Sequence, residues 1–114
     1  MNDDCIFCKI IAGKIPAKIV HQDADVVAIE DINPQAPTHL LVIPRLHVPT
    51  LLDVKPEQAH LVASILEVTS RLARERRLET GFRVVVNNGR GAGQTVYHLH
   101  FHLLGGRPMQ WPPG

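Results

Sequence analysis

The amino-acid sequence predicts an α+β domain with an antiparallel sheet of about five strands, one long helix and a short N-terminal helix. Strand-like runs come first, one long amphipathic stretch follows, and strand-like runs return after it. Connections between neighbouring strand-like runs are of hairpin length, which suits antiparallel pairing and disfavours a doubly wound parallel sheet.

Residues Cys5 to Ala12 alternate apolar and small polar types and stop at Gly13, a pattern for one or two helical turns closed by glycine. Two β-rich runs follow, Lys18 to Gln22 and Val26 to Glu30, and Asp23-Ala24-Asp25 between them has hairpin-turn chemistry. Pro34 and Pro37 make Asp31 to Pro37 a loop, after which Thr38 to Pro44 reads as a central strand. From Pro56 to Arg77, apolar residues at Leu61, Val62, Ile65, Leu66, Val68 and Leu72 recur at mostly three- and four-residue intervals, which predicts a helix with one buried face. Pro56 suits its first turn. Glu57 near its start and Arg74, Arg76 and Arg77 near its end complement the helix dipole. Phe82 to Asn87 and Leu99 to Leu104 complete the strands, joined by the glycine-rich stretch Asn88 to Thr95.

A length of 114 residues fits one domain, 1–114, able to bury a single core, although a partner subunit would help. Apolar residues at 45% and charged residues at 20% fit a globular chain and argue against disorder. A formal net charge of +1 provides no basic field for nucleic acid, so no nucleic-acid partner is expected. The start Met1-Asn2-Asp3-Asp4 is acidic, and the strongest apolar run, Leu40 to Ile43, is far too short to cross a bilayer. A cytoplasmic protein without membrane association is the resulting expectation. Cys5 and Cys8 are the only cysteines, which argues against a disulfide framework, and in a reducing compartment such a pair more often binds metal or does redox work.

In His98-Leu99-His100-Phe101-His102-Leu103-Leu104, strand geometry would place three histidines on one face and Leu99, Phe101 and Leu103 on the other. At about 3.3 Å per residue, neighbouring imidazoles stem from points about 6.6 Å apart and the outer two from points about 13 Å apart. His98 and His102 therefore cannot readily share one metal ion, which argues against a three-histidine zinc site on this strand. The middle ring, His100, has neighbours able to orient it and supply protons, the surroundings of a nucleophile or base. A single histidine here would read as the polar outer face of an edge strand. Strict alternation of three beside a glycine-rich loop favours chemistry.

The loop Asn87 to Thr95 lacks the Gly-Lys-Ser/Thr ending of a P-loop and is not followed by a helical pattern. Its glycines can turn successive N–H groups toward an anion, with Asn87, Gln94 and Thr95 as side-chain donors. An ordinary flexible hairpin loop fits the same residues until the histidines are added.

The ladder, preceded by Gly93-Gln94-Thr95-Val96-Tyr97 and followed by Gly105-Gly106, resembles the signature of the histidine-triad (HIT) nucleotide-binding proteins. The resemblance extends to Cys5-Ile6-Phe7-Cys8-Lys9-Ile10-Ile11 with Ile15-Pro16, to Asp31 through His39, and to Trp111-Pro112-Pro113-Gly114, and it is nearest to the phosphoramidase branch. It implies a HIT-like fold and a homodimer whose two sheets run together. It also implies that His100 attacks the α-phosphorus of a purine nucleoside phosphoramidate or acyl-nucleotide, giving a nucleotidyl-histidine that water hydrolyses.

By the same resemblance, Asn87, Gly93, Gln94, Thr95, His100 and His102 would surround the phosphate, with His39 supporting the ladder from behind. Asp31 would hold the ribose hydroxyls, a role that suits a carboxylate facing a vicinal diol. Ile6, Phe7, Ile10, Ile29 and Ile32 would form the apolar slot for the base, although each reads equally simply as core, Ile10 and Ile29 above all. Thr95 stands where the phosphoramidase branch often has serine, and keeps the hydroxyl for the leaving-group contact.

Several bacterial relatives and the related nucleotidyltransferases carry a Cys-x-x-Cys pair as half of a structural zinc site. A closed site needs four ligands, so Cys5 and Cys8 would recruit two histidines, for which His47 and His98 are the candidates. Loss of His98 to zinc would still leave His100 and His102 free. A reduced, metal-free cysteine pair is the alternative, and no organic cofactor is expected. His21 and His60 are assigned to solvated surface. Competing activities are hydrolysis or transfer on dinucleoside polyphosphates or sugar nucleotides, and regulatory nucleotide binding without catalysis.

Overall fold

A computed structural model describes residues 4–114; Met1 to Asp3 of the acidic start lie outside the described residues. The elements in chain order are α1 (Ile6–Ile11), β1 (Ile19–Gln22), β2 (Val26–Glu30), β3 (Thr38–Pro44), α2 (Ala59–Glu75), β4 (Phe82–Val86) and β5 (Phe101–Gly105). The strands form one antiparallel sheet in the order β1-β2-β3-β5-β4, the α+β architecture expected from the order of the runs.

Local chemistry explains the short connections. Asp23 Oδ1 accepts the N–H groups of Asp25 at 2.8 Å and Val26 at 2.9 Å, so the aspartate closes the β1–β2 hairpin with its own side chain. Gly13, at φ +77, follows α1 and donates its N–H to Ile10 O, as a glycine stop should. Cys5 is the N-cap of that helix, with its Sγ accepting from Cys8 N at 3.4 Å.

Both faces of the central strands are covered. On one face α2 buries Ile65, Val68, Leu72 and Ala73 against Val26, Ala28, Leu40, Val42, Phe101 and Leu103. On the other, α1 and its flanks bury Cys5, Phe7, Cys8 and Ile10 against Val27, Ile29, Leu41 and Ile43. All seven residues of β3 are therefore buried, which is why Leu40 to Pro44 is a continuous apolar run rather than an alternating one. Phe101 and Leu103 face α2, so the alternating even positions of β5 look toward α1.

Several boundaries differ from the sequence expectation. The stretch from Pro56 begins as a 3₁₀ turn, Pro56–Gln58, in which Gln58 Oε1 accepts from Lys55 N at 3.0 Å, and the α-helix starts only at Ala59. Its end is a Schellman motif: Leu78 N donates to Ala73 O and Arg77 N to Arg74 O, with Arg77 itself left-handed at φ 58. Arg77 therefore lies just past the helix, and Arg76 reaches Glu30 at 3.5 Å. Leu66 is exposed, because the buried stripe runs through Ile65, Val68, Thr69, Leu72 and Ala73. Lys18 precedes β1, whose pairing with β2 is interrupted by a register shift between Ile19 and His21, and β4 ends at Val86 rather than Asn87.

Gly105 closes β5, and a larger residue there would force the Leu78 side chain to shift. A Cβ there would meet Leu78 Cδ1 at 2.7 Å, and Leu78 is itself buried beneath the helix end.

Candidate active site

The hydrogen-bonded part of β5 starts at Phe101, not at Leu99, so His98 and His100 precede the strand. Continuing the β3–β5 register would set Leu99 opposite Pro44, which has no N–H, and Leu99 donates its own N–H to Val48 O at 2.7 Å instead. The alternation nevertheless survives: Leu99, Phe101 and Leu103 all join the core under α2. The three histidines thus leave the same side of the chain but enter different surroundings.

His100 has a fixed tautomer. Its Nδ1 lies 2.7 Å from the carbonyl oxygen of His98, and a carbonyl only accepts, so Nδ1 carries the hydrogen and Nε2 keeps a free lone pair. The ring is 8% exposed and is met edge-on by Phe7, with centroids 5.0 Å apart. Burial lowers its pKa below the ordinary histidine value, which keeps the ring neutral and the lone pair available.

A relay of hydrogen bonds determines the next ring. Gln35 N–H donates to His39 Nδ1 at 3.0 Å, so neutral His39 carries its hydrogen on Nε2 and donates to His102 Nδ1 at 2.9 Å. His102 then holds its hydrogen on Nε2, a buried donor with no acceptor among the described residues. The centroids of His100 and His102 are 5.0 Å apart, so the orphan donor and the free lone pair belong to neighbouring rings. Asp31 Oδ2 approaches His39 Nε2 at 3.4 Å, while Asp31 Oδ1 accepts from Asn33 N at 2.8 Å. Asp31, His39 and His102 could be read as a metal triad. The 2.9 Å His39–His102 contact with a proton between the nitrogens makes it a hydrogen-bond chain instead.

Burial, with His100 and His39 adding to it, pushes His102 down to about 4. A histidine neutral when folded and protonated when unfolded lets the unfolded state bind more protons between pH 6.5 and 4, so its contribution to stability is complete above 6.5 and lost toward 4. After allowance for its partial exposure the effect is on the order of 1–2 kcal/mol. His102→Gln is expected to flatten the fall in urea midpoint between neutral and acid pH; parallel pH profiles for the two proteins would reject this account.

The glycine-rich loop is organised differently from expectation. It contains a 3₁₀ turn, Arg90–Ala92, and the N–H groups of Ala92, Gly93 and Gln94 are bonded to Gly89 and Arg90 carbonyls within the loop. Gln94 is buried and braces the loop: its Oε1 accepts from Gly89 N, and its Nε2 donates to Pro49 O at 2.7 Å and Val96 O at 3.0 Å. The expectation of a free Gln94 donor for phosphate is corrected accordingly. Asn87 is half-buried, and continuing the β4–β5 register places it beside His100. Thr95 is exposed in a cleft of about 370 Å³ that it shares with Ile6, His47 and Tyr97. The structure divides the five apolar residues expected to form a slot. Phe7, Ile10 and Ile29 are buried in the sheet core, whereas Ile6 is 44% and Ile32 99% exposed.

The cysteines form a second, adjoining centre. Cys8 Sγ lies 3.3 Å from His47 Nδ1 and 3.5 Å from His98 Nδ1, Cys5 Sγ lies 3.4 Å from His98 Nδ1, and the two Nδ1 atoms are 3.1 Å apart. A tetrahedral zinc with N and S ligands needs donor atoms about 3.3–3.8 Å apart, so the four residues fit such an ion with little adjustment. His98 Nε2 donates to Pro44 O at 2.7 Å, leaving Nδ1 as a lone pair turned toward the sulfurs. His98 is fully buried and pushed down to about 4 by burial, which keeps it neutral as a ligand must be.

The backbone partners, Gln35 N–H and the carbonyls of Pro44 and His98, were invisible to residue-type reasoning, since every residue carries such groups. The Phe7–His100 contact likewise has no spacing signal. His60 is exposed as expected, but His21 is half-buried and pairs with Asp23 at 2.7 Å, a hydrogen bond that is the main cause of Asp23 falling to about 2.

The HIT domain model matches residues 12–109. The chain belongs to the HIT domain family. The purine nucleoside phosphoramidase of Escherichia coli K12 is 46% identical to this HIT domain, over 96% of the chain and 92% of that protein. The 14 kDa zinc-binding protein of Zea mays is 48% identical over 96% of the chain and 87% of its own length. Among solved structures, a HIT family hydrolase from Legionella pneumophila superimposes with a TM-score of 0.94 at 52% identity, covering 96% of the chain and 99% of that protein. The five-stranded sheet with one long and one short helix is thus the HIT fold. Among the described residues of this HIT domain, no helix is long and apolar enough to cross a membrane.

Proposed function

We propose that this HIT domain, residues 1–114, is a hydrolase of purine nucleoside phosphoramidates and acyl-nucleotides that works through a nucleotidyl-His100 intermediate. The observation that carries the reading is the His100 Nδ1–H bond to the His98 carbonyl, which leaves Nε2 unprotonated within a largely buried histidine cluster. In the first step Nε2 attacks the α-phosphorus, the P–N bond breaks, and the leaving nitrogen takes a proton from solvent and departs as the amine. In the second, water attacks the same phosphorus and gives a proton back to solvent, the P–Nε2 bond breaks, and His100 regains its lone pair.

Other groups take supporting roles. The orphan N–H of His102 meets a phosphoryl oxygen, where charge grows as the pentavalent centre forms. His39 fixes the His102 tautomer from behind. Asn87 and Gly93 border the phosphate, Thr95 lies beside the leaving group, and Gln94 holds the loop that carries them. Asp31 retains lone pairs for the ribose hydroxyls, and the exposed Ile6 and Ile32 cover the base, with Phe7, Ile10 and Ile29 as its floor. Cys5, Cys8, His47 and His98 hold a structural zinc, which supplies a tie between α1 and the segment leading into β5.

A homodimer fits the open outer edge of β4, where Phe82 and Val84 are exposed and unpaired N–H and C=O groups invite a second copy. The free cysteines suit a cytoplasmic setting.

Brief exposure to a nucleoside phosphoramidate, followed by acid denaturation and intact-mass measurement, is expected to show a mass gain of one nucleotidyl group that maps to His100. Faster turnover of a dinucleoside polyphosphate in a side-by-side assay would move the substrate class. Nucleotide affinity without any adduct or turnover would reduce the protein to a binding module.

A further inference from the structure

We infer that the Cys5–Cys8–His47–His98 cluster is the positioning device of the nucleophile, with Phe7 and the His98 carbonyl transmitting metal occupancy to His100. This rests on the reading of His100 as the nucleophile and of the cluster as a metal site.

The two centres share parts. His98 supplies its ring to the cluster, and its backbone carbonyl, 2.7 Å from His100 Nδ1, determines which nitrogen of the nucleophile is free. Holding the His98 ring therefore also holds the acceptor that sets the His100 tautomer. The ring itself is fixed at both ends, by Pro44 O at Nε2 and by the cluster at Nδ1. With the ion gone, His98 Nδ1 can only accept a hydrogen bond from His47 Nδ1–H at 3.1 Å or from a cysteine thiol, neutral contacts that hold the ring less firmly than a metal bond.

Phe7 provides the second path. It lies between the two cysteines in sequence, and its ring meets His98 edge-on at 5.9 Å and His100 edge-on at 5.0 Å. Cysteines that bind the ion fix the first turn of α1, and the first turn fixes the Phe7 ring against His100. Phe7 is only 6% exposed and so offers little surface to a substrate, which makes it a positioning residue more than a wall of the base slot. Partners that orient metal ligands typically affect affinity or activity by about 10–100-fold, the range in which this coupling should fall.

The test uses the full-length ¹⁵N-labelled protein and long-range ¹H–¹⁵N spectra of its histidine rings, with His100→Asn identifying the His100 signals. Zinc-loaded protein is expected to show His100 as a single Nδ1–H tautomer. Chelation of zinc should convert it to an averaged pattern and lower kcat on a nucleoside phosphoramidate about tenfold or more, with KM moving less than about twofold; returning zinc should restore both. Phe7→Leu, with zinc retention checked by native mass spectrometry, should give the same averaging of His100 and the same fall in kcat. Because that variant keeps its ion, it decides the matter even if the metal-free protein loses its fold.

The coupling is overturned if His98 signals move on chelation while those of His100 and kcat stay put. It is equally overturned if Phe7→Leu leaves both readouts unchanged, or if the wild type takes up no zinc. A His100 tautomer that follows zinc in a protein with no phosphoramidate turnover would support the coupling and refute the proposed chemistry, so the two readings fail separately.

Discussion

Replacement of His100 by asparagine is expected to lower turnover of a nucleoside phosphoramidate by about four to six orders of magnitude, the scale on which removal of a covalent nucleophile acts. Asparagine places an amide near the position of Nδ1, so the bond to the His98 carbonyl can still form, but it has no lone pair to replace Nε2. Because the buried acceptor remains satisfied, the unfolding free energy should change by less than about 1.5 kcal/mol. The measurement is kcat with a chemical-denaturation curve on the same preparation, and the nucleotidyl mass adduct should vanish. A His100→Asn protein that folds and turns over at the wild-type rate would exclude His100 as the attacking group. Replacement of His102 by alanine supplies the contrast: it removes the orphan N–H donor but not the nucleophile, so the adduct should still form, only more slowly.

The fold was largely legible because its main elements have unambiguous patterns. Within the seven buried residues of Thr38–Pro44, Leu40 to Ile43 form an apolar run too short for a helix of that burial and bounded by proline, and Asp23-Ala24-Asp25 carries its turn in its side chains. Element ends were less legible because they depend on distant partners. Nothing local shows that Leu99 N–H will find Val48 O, or that Arg77 will take a left-handed conformation where glycine is usual. The composition of the site was legible as histidines, cysteines and a loop, but its wiring was not. Gln94 has the same sequence appearance whether it faces an anion or braces its own loop, and only the carbonyls of Pro49 and Val96 settle which. The tautomers of His39, His98, His100 and His102 all follow from backbone or neighbouring-ring contacts that residue identity does not encode.

If the cluster holds zinc as proposed, exchange of Cys8 for serine should abolish zinc binding and remove about 2–4 kcal/mol of stability, a fall in Tm of roughly 10 °C or more for a chain of this length. Cys8 is 1% exposed, and its Sγ faces both His47 and His98 at 3.3 and 3.5 Å. The serine oxygen sits on a shorter bond and is a poor zinc ligand, so three donors remain where a closed site needs four. Two causes could produce the loss, metal or packing, and they separate cleanly. If metal is the cause, chelated wild type and Cys8→Ser should melt near the same temperature, and zinc should raise the Tm of the wild type alone. If packing is the cause, chelation should leave the wild-type Tm in place while the variant stays below it, and the cluster would be only a polar corner of the core. Metal content by mass spectrometry should fall from one ion per chain to nearly none in the variant, and a variant that keeps its ion would show that Cys5, His47 and His98 suffice without Cys8.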